Sequence, residues 1–408
     1  MYLIFRFRSM ICLTIAPWLV VSAHLCMAQA GSGCNAPAAE PIIYVTLPGN
    51  PFTPVVTADG CKVFVALTGP DSAQGVAVLR RDGGALSLER TVSLKSGGAG
   101  AVLTHDGRIL AVAAGGSVAF LDAARLASGG ADPLLGYLEL GDGAGAIYVN
   151  VTKGDEFLFV ALERAESILV VNMAKIRAGQ FTNAAIVGRI PVGRGPIAVT
   201  LSNDGKYLYT TSQVAPPAWN WPLECRPEVQ DPAASKPNHA RGAIMVVDVA
   251  RAQTDPMHSV VARAPVGCNP VRLAISPDGA TAWVTTRGDH SLVAVDVAKL
   301  LVDAEHSIVT RIRVGTAPVG VAIVDSGRKV IATNSNRFAG GADDRQSLNI
   351  VDIAGGAAHA TILGTVPAGA FPRELCVSPD GRTLFVSNYS SRTLEVLDLA
   401  RLAPQKEP

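Results

Sequence analysis

One phrase recurs along this chain: a proline, a short β-like run, an Asp-Gly turn and a second β-like run. Pro270 precedes Asp278-Gly279 by eight residues, and four further units keep this offset. They are Pro51 with Asp59-Gly60, Pro196 with Asp204-Gly205, Pro318 with Ser326-Gly327, and Pro372 with Asp380-Gly381. A fixed offset inside a longer, irregular repeat indicates one supersecondary unit copied many times.

The turn glycines count the units. They lie 47, 47, 51, 74, 48 and 54 residues apart, at Gly60, Gly107, Gly154, Gly205, Gly279, Gly327 and Gly381. Seven units follow, and the longest interval carries an insertion of about 26 residues, which we place at 214–241. A period of about 45 to 50 residues is typical of a four-stranded propeller blade rather than of a helical repeat.

The content of each unit favours strands. Residues 271–276, 281–286 and 291–296 are short, β-branched runs bounded by turn residues. Asp-Gly suits the hairpin between the first two strands, because glycine takes positive φ without a Cβ clash. The chain is 49% hydrophobic and holds 40 glycines, which fits many short strands and turns. The sequence therefore predicts an all-β, seven-bladed propeller of four-stranded antiparallel blades.

The ends of the repeat predict how the ring closes. The last unit supplies three strands and no fourth, whereas residues 42–47 form an orphan strand ahead of Pro51. We expect this strand to complete the seventh blade, because a closed ring leaves only short, protected sheet edges. The propeller then spans 42–402, preceded by a lead at 31–41 and followed by a tail at 403–408.

An aspartate ends the third strand of several units. These residues are Asp248, Asp296, Asp352 and Asp398. A ring of metal-binding or acid-base carboxylates is one interpretation of them. Capping of the following turn by the side-chain oxygen is the favoured one, because the residue recurs once per blade on the same rim.

Residues 1–30 have the pattern of a secretory signal. Arg6 and Arg8 precede the apolar run 11–21, and Ala28-Gln29-Ala30 offers a cleavage site. We therefore expect a periplasmic, secreted or cell-surface protein without a membrane span after cleavage; a retained anchor or a lipoprotein is disfavoured. The mature chain would hold 33 Lys and Arg against 34 Asp and Glu, and this near-neutral charge argues against nucleic acid as the partner.

Five cysteines remain after the predicted signal, and export permits disulfides. In the propeller topology, Cys34 and Cys61 lie on one face and would staple the ring closure. Cys225 and Cys268 lie on the other face and would pin the insertion, while Cys376 lies inside a strand as a buried thiol. Free thiols throughout remain the alternative, because sequence alone does not settle connectivity. The chain has no haem-attachment motif and no Cys/His zinc spacing, so we predict no metal and no cofactor.

The repeats resemble a known family. Residues 266–279 and 371–388, with their Ser-Pro-Asp-Gly turns, are similar to the YVTN-type β-propeller repeats of exported, surface-layer-like proteins. The resemblance covers roughly 42–402, and units 3 and 6 depart from it with Lys153-Gly154 and Ser326-Gly327. A weaker resemblance is to the seven-bladed lactonases, although no local motif maps onto their catalytic positions.

Candidate site residues follow the blade-opening prolines and the second strands, where propeller loops usually meet ligands. The ligand-binding candidates are Arg272, Arg287, His290, Asn334, Arg373, Glu374, Asn388 and Tyr389. Two arginines and a glutamate at one opening suit a carboxylate or a sugar acid, because guanidinium matches carboxylate geometry. The competing interpretation is that these groups pair with one another and solvate the opening.

The insertion supplies the other candidates. Trp219 and Trp221 would stack on a sugar, anchor a partner protein, or cover the blade as a lid. Our first functional hypothesis is a non-enzymatic binding or scaffold protein for an unknown protein or a small carboxylate or sugar ligand. The second is a lactonase-like hydrolase acting on a sugar-acid lactone at the central opening, with catalytic residues unknown. The third is a partner subunit of a periplasmic redox complex.

Overall fold

The computed structural model of the protein describes residues 33–36, 38, 40–70, 73–227, 236–337 and 346–406. Within them, seven antiparallel blades surround a central axis, as the repeat predicts. The predicted signal at 1–30 lies outside the described residues. No helix among those described is long and apolar enough to span a membrane.

The first three blades follow the repeat without interruption. Blade 1 comprises Asn50–Val56, Lys62–Thr68, Gly75–Asp82 and Ala85–Ser93. Blade 2 comprises Ala101–Leu103, Ile109–Ala114, Ser117–Asp122 and Leu134–Glu139. Blade 3 comprises Ala146–Val151, Phe157–Leu162, Ser167–Asn172 and Ile186–Pro191.

Blade 4 has a first strand in two pieces and carries the insertion. Its strands are Arg194–Pro196 with Thr200–Leu201, then Tyr207–Val214, Gly242–Asp248 and Val260–Gly267. Blade 5 comprises Pro270–Ile275, Thr281–Thr286, Ser291–Asp296 and Ile308–Arg313. Blade 6 comprises Pro318–Val324, Lys329–Asn334, Ser347–Asp352 and Thr361–Pro367.

Blade 7 closes the ring. Pro372–Val377, Thr383–Asn388 and Thr393–Asp398 take Ile42–Thr46 as their fourth strand, with Tyr44 opposite Glu395. The predicted closure by the N-terminal strand is thus confirmed. Apolar side chains of blades 7 and 1, among them Phe385 and Val65, pack together across this seam. Strands from the two ends of the chain therefore share one blade, and unfolding of either end opens the ring.

Capping explains the aspartates at the ends of the third strands. Asp248 and Asp296 accept hydrogen bonds from the backbone N–H three residues on, at the start of a short helix. Asp352 and Asp398 accept from the N–H two residues on. The capping interpretation is confirmed for all four. The short α-helices that follow third strands are Ala123–Ser128, Met173–Arg177, Val249–Ala252 and Val297–Val302.

A hydroxyl in the second strand joins neighbouring blades. Thr211, Thr285 and Thr333 of blades 4, 5 and 6 each donate to a carbonyl in the first strand of the next blade. The Thr285 hydroxyl also accepts from the backbone N–H of Arg272 in its own blade. Because these hydroxyls are buried, each bridge satisfies backbone groups that water does not reach. The bridges fix the first strands, which line the centre of the ring.

Candidate functional site

The upper face carries the loops between blades and the loops that join second to third strands. On this face, the residue directly after each blade-opening proline occupies an equivalent position. In blades 4, 5 and 6 it is Ile197, Val271 and Val319, which are buried and pack with Phe371. The equivalent residues are Phe52 in blade 1 and Arg373 in blade 7. Of these five equivalent residues, four are apolar and only Arg373 is charged.

The next position in the repeat holds a buried ion pair. Arg272 of blade 5 donates from Nη2 to Oε1 of Glu374 in blade 7 at 2.6 Å, and from Nε to both carboxylate oxygens at 3.0 Å. The guanidinium also lies 4.2 Å from the ring centroid of Tyr148 in blade 3. The pair joins two blades, so these two candidate residues bind each other.

Arg373 lacks such a partner. Its Nε lies 3.9 Å from Oε1 of Glu374, too far for a hydrogen bond, and no described residue accepts a hydrogen bond from this buried atom. Aromatic rings surround the guanidinium instead: its carbon lies 3.7, 5.5 and 5.7 Å from the centroids of Phe52, Phe371 and Tyr389. Such contacts are worth about 2 kcal/mol when desolvated, less than a buried charge needs.

The electrostatic surroundings of Arg373 are positive. Burial is the main cause that lowers the pKa of this guanidinium to about 9, and the charges of Arg272, Arg337 and Arg287 add to it against Glu374. Even so, the group stays protonated at neutral pH. An anion placed beside Arg373 would relieve both the desolvation and the repulsion.

The remaining candidates play other parts. Arg287 donates to Gln213, which in turn donates to Glu163, so three polar side chains form a chain beside the centre. His290 accepts from the backbone N–H of Ala317 through Nδ1 and so joins the loops of blades 5 and 6. The ring of Tyr389 lies 5.3 Å from that of Phe371.

Two candidate asparagines lie within their blades. Asn334 donates to Ser347 and Asn349, and both its side chain and that of Asn388 are buried. Asn388 donates to Oε2 of Glu395. The structure therefore brings together Arg272, Arg373, Glu374, Arg287 and Tyr389, and it directs the two asparagines into blade-internal hydrogen bonds.

Three aromatic residues of this site were not predicted from the sequence. Phe52, Tyr148 and Phe371 contact Arg373 or Arg272. A signal was available for Phe52, which follows Pro51 as Arg373 follows Pro372. No signal identifies Tyr148, because the third unit lacks the proline and contains a register shift between residues 146 and 148.

Disulfide bonds fix both the closure and the insertion. Cys34 is joined to Cys61, and Cys225 to Cys268. Cys376 is free and half-buried rather than fully buried as predicted, and desolvation raises the pKa of its thiol to about 11. Trp219 and Trp221 lie on the insertion of blade 4, with ring centroids 5.1 Å apart. Among the described side chains, no group of three or more His, Cys, Asp or Glu is arranged to hold a metal ion.

The fold and this central site define a closed seven-bladed β-propeller with an arginine-rich upper opening. The chain is similar to hydrazine synthase of Kuenenia stuttgartiensis, with a TM-score of 0.61 and 18% identity over 87% of this chain and 96% of that one. It is also similar to a chain in a crystal structure of the mitotic checkpoint complex, with a TM-score of 0.62 and 15% identity over 97% and 99%. At these identities the likeness shows the fold. No family model and no curated protein matches the chain.

Proposed function

We propose that this protein is a non-enzymatic binding propeller that holds a small carboxylate at its upper central opening. The observation that carries the proposal is Arg373, a nearly buried guanidinium whose Nε has no hydrogen-bond partner among the described residues. A mostly buried charge without a hydrogen-bonded counter-ion is costly, and local costs of this kind are expected at functional sites. A carboxylate matches guanidinium geometry and forms charge-assisted hydrogen bonds.

The charge balance favours an anion. Four guanidiniums gather here, those of Arg272, Arg287, Arg337 and Arg373; among the described residues, Glu374 acts on Arg373 and both Glu374 and Glu163 act on Arg272 with an opposite charge. Glu374 is already held by Arg272, so its charge offsets that of Arg373 only in part. The aromatic rings around Arg373 restrict its rotamers, and a preordered cation loses little entropy when it binds a ligand.

Export and family membership are parts of the same proposal. The signal-like residues 1–30 and the two disulfide bonds support a periplasmic, secreted or cell-surface location. The resemblance to YVTN-type repeats supports a structural propeller whose function lies in the residues that depart from the repeat. Blade 6 has Val319 where blade 7 has Arg373, and Gly320 where blades 5 and 7 have Arg272 and Glu374, so these three charged residues vary between the blades of this chain.

A lactonase-like hydrolase would require Arg272, Arg373, Glu374 and His290 to converge near one opening, and the first three lie together. Hydrolysis needs in addition a group that activates water. Both carboxylate oxygens of Glu374 accept hydrogen bonds from Arg272, and His290 is engaged with the backbone of Ala317. A carboxylate held in this way is a poor general base, so we place binding ahead of hydrolysis.

Calorimetric titration tests the proposal. The protein is titrated with gluconate, succinate and benzoate, and with gluconamide as the neutral control for gluconate. We expect at least one carboxylate to bind with a Kd below about 1 mM, and the amide not to bind. R373M should weaken binding about tenfold or more, because it removes a charge-assisted hydrogen bond. R313M is the matched control, since Arg313 is exposed on the outer strand of blade 5.

Two outcomes would contradict the proposal. Equal binding by R373M and the unchanged protein would place the ligand elsewhere. Release of gluconate from gluconolactone above the spontaneous rate, lost in R373M, would establish hydrolysis instead. The titration measures the first outcome, and NMR of gluconolactone incubated with the protein measures the second.

A further inference from the structure

The described part of the insertion of blade 4, residues 214–227 and 236–241, carries two tryptophans beside the outermost strand of the blade; we call this part the aromatic platform. It contains the short turn Pro217–Trp219 and the strand Leu223–Cys225, which pairs with His239–Ala240. The Cys225–Cys268 bond ties this hairpin to the loop that opens blade 5. A loop fixed in this way presents its side chains at little entropic cost.

Stacking orients the two tryptophans of the platform. The guanidinium carbon of Arg263, on the outermost strand of blade 4, lies 4.5 Å from the ring centroid of Trp219. The Trp221 ring lies beside Trp219, with the centroids 5.1 Å apart, and both side chains remain half-buried. Neither tryptophan belongs to the apolar clusters between the blades, so the hydrophobic core does not account for their presence in the insertion.

A cleft of about 400 Å³ lies between Trp221 and the outer strand of blade 4. Its charged lining residues are Glu224, Arg241, Arg263 and Glu305. Pro222 and Pro265 complete the apolar part of the lining. The volume is of the size that accommodates a small organic ligand.

The charges of the cleft are balanced. Arg241 and Glu224 form an ion pair at 2.5 Å, and Arg263 and Glu305 add one charge of each sign. The lining therefore offers both carboxylate acceptors and guanidinium donors. An ionic ligand meets a like charge wherever it binds, whereas a neutral ligand with several hydroxyl groups uses carboxylates as acceptors and guanidiniums as donors.

We propose that this cleft is a second binding site, which takes one or two rings of a neutral saccharide stacked on Trp221. The indole face covers the C–H face of a sugar ring, and Glu224, Glu305 and Arg263 hydrogen-bond its hydroxyls. The site lies at the outer strand of blade 4, whereas Arg373 lies at the centre of the ring. It therefore goes beyond the carboxylate proposal and does not depend on it.

An extended peptide is the competing occupant, and the outer strand disfavours it. Strand addition needs a row of backbone donors along a sheet edge. Pro265 supplies no N–H in the part of the strand that lines the cleft, and proline at an edge blocks such pairing.

Intrinsic fluorescence tests the saccharide site directly. Trp219 and Trp221 are half-exposed, whereas Trp283 is fully buried, so a ligand-induced shift reports on the platform. The protein is titrated with hexasaccharides of glucose, mannose, galactose and N-acetylglucosamine. A proline-rich and an acidic decapeptide form the other arm. We expect a saturable blue shift with one hexasaccharide, at a Kd of about 10 µM to 1 mM, and none with the peptides.

Variants assign the binding to the cleft. W221A should abolish the shift and W221F should retain part of it, while E305Q, conservative and located on blade 5, should weaken binding about fivefold or more. L223A is the matched control on the same loop, because Leu223 is exposed and does not line the cleft. R373M should bind the saccharide unchanged.

Three results would overturn the inference. The first is the absence of any shift with all four hexasaccharides at about 10 mM, a concentration that detects even weak sites. The second is saccharide binding that survives both W221A and E305Q. The third is a shift with a peptide that depends on Trp221, which would make this surface a docking site for protein.

Discussion

Arg272 of blade 5 and Glu374 of blade 7 form an ion pair, with Nη2 and Oε1 2.6 Å apart and both side chains almost fully buried. The equivalent position in blade 6 is Gly320, where a Cβ would lie 2.4 Å from the carbonyl oxygen of Arg373. A glycine there allows the first strands of blades 6 and 7 to approach closely. The ion pair and this glycine together set the shape of the central opening.

Breaking the pair should destabilise the ring strongly. E374Q leaves the Arg272 charge buried without its counter-ion, and we expect the free energy of unfolding to fall by about 3 to 5 kcal/mol. Urea denaturation measures it. The double variant R272M/E374L removes both charges and should recover most of the loss. An E374Q protein within about 1 kcal/mol of the unchanged protein would show that the pair is not coupled to folding.

Replacing Arg373 should raise the free energy of unfolding, whereas E374Q should lower it. The guanidinium is mostly buried among Phe52, Phe371 and Tyr389, and its Nε makes no hydrogen bond to a described residue, so R373M exchanges a costly charge for an apolar side chain. We expect the free energy of unfolding to rise by about 1 to 3 kcal/mol while carboxylate binding weakens about tenfold or more. Thermal unfolding without ligand measures the first effect. If R373M is less stable than the unchanged protein, the guanidinium stabilises the opening, and its role is structural rather than to bind an anion.

Glu395 should make the closing blade sensitive to pH. Burial raises the pKa of this carboxyl to about 7, against the opposing hydrogen bonds from Asn388, Gly369 and Tyr44. At pH values between the unfolded pKa and about 7, the Glu395 carboxyl is therefore protonated in the folded protein and ionised in the unfolded chain. The resulting stability is complete below the unfolded pKa and is lost as the pH rises towards about 7, by roughly 3 kcal/mol for this group alone.

The variant E395Q isolates that effect. Glutamine stays neutral and retains hydrogen-bonding capacity, so unfolding at pH 8 should need more denaturant than in the unchanged protein, with little difference at pH 4.5. E139Q, at an exposed glutamate, serves as the matched control. Parallel pH profiles for E395Q and the unchanged protein would mean that Glu395 is not the group responsible.

The Cys34–Cys61 bond should stabilise the closure of the ring. It links residues 27 apart and holds the lead segment beside the turn of blade 1. The chain-entropy model gives about 3.5 kcal/mol for a loop of this length, so C34S/C61S should lower the unfolding midpoint measurably. C225S/C268S should chiefly loosen the insertion and impair the Trp platform. If the two double variants had equal effects on global unfolding, the first bond would have no special role at the seam.

Much of the fold was predictable because each sequence repeat corresponds to one blade. The offset between each opening proline and its turn specifies two strands, and seven copies specify the ring. The orphan strand at 42–47 predicted the closure, which the pairing of Ile42–Thr46 with Thr393–Asp398 confirms. Capping by Asp248 and Asp296 also follows from local chemistry, since the side chain bonds to a backbone group three residues away.

The site was only partly predictable, since its contacts join residues far apart in the chain. Sequence placed Arg272, Arg373 and Glu374 near one opening. It did not determine that Glu374, 102 residues from Arg272, pairs with that arginine rather than with its neighbour Arg373. Nor did it identify Phe52, 321 residues before Arg373 in the numbering, as the ring beneath that guanidinium. Local periodicity determines strands and turns because their partners lie a few residues apart, whereas only the closed ring decides which of the two arginines forms hydrogen bonds with Glu374.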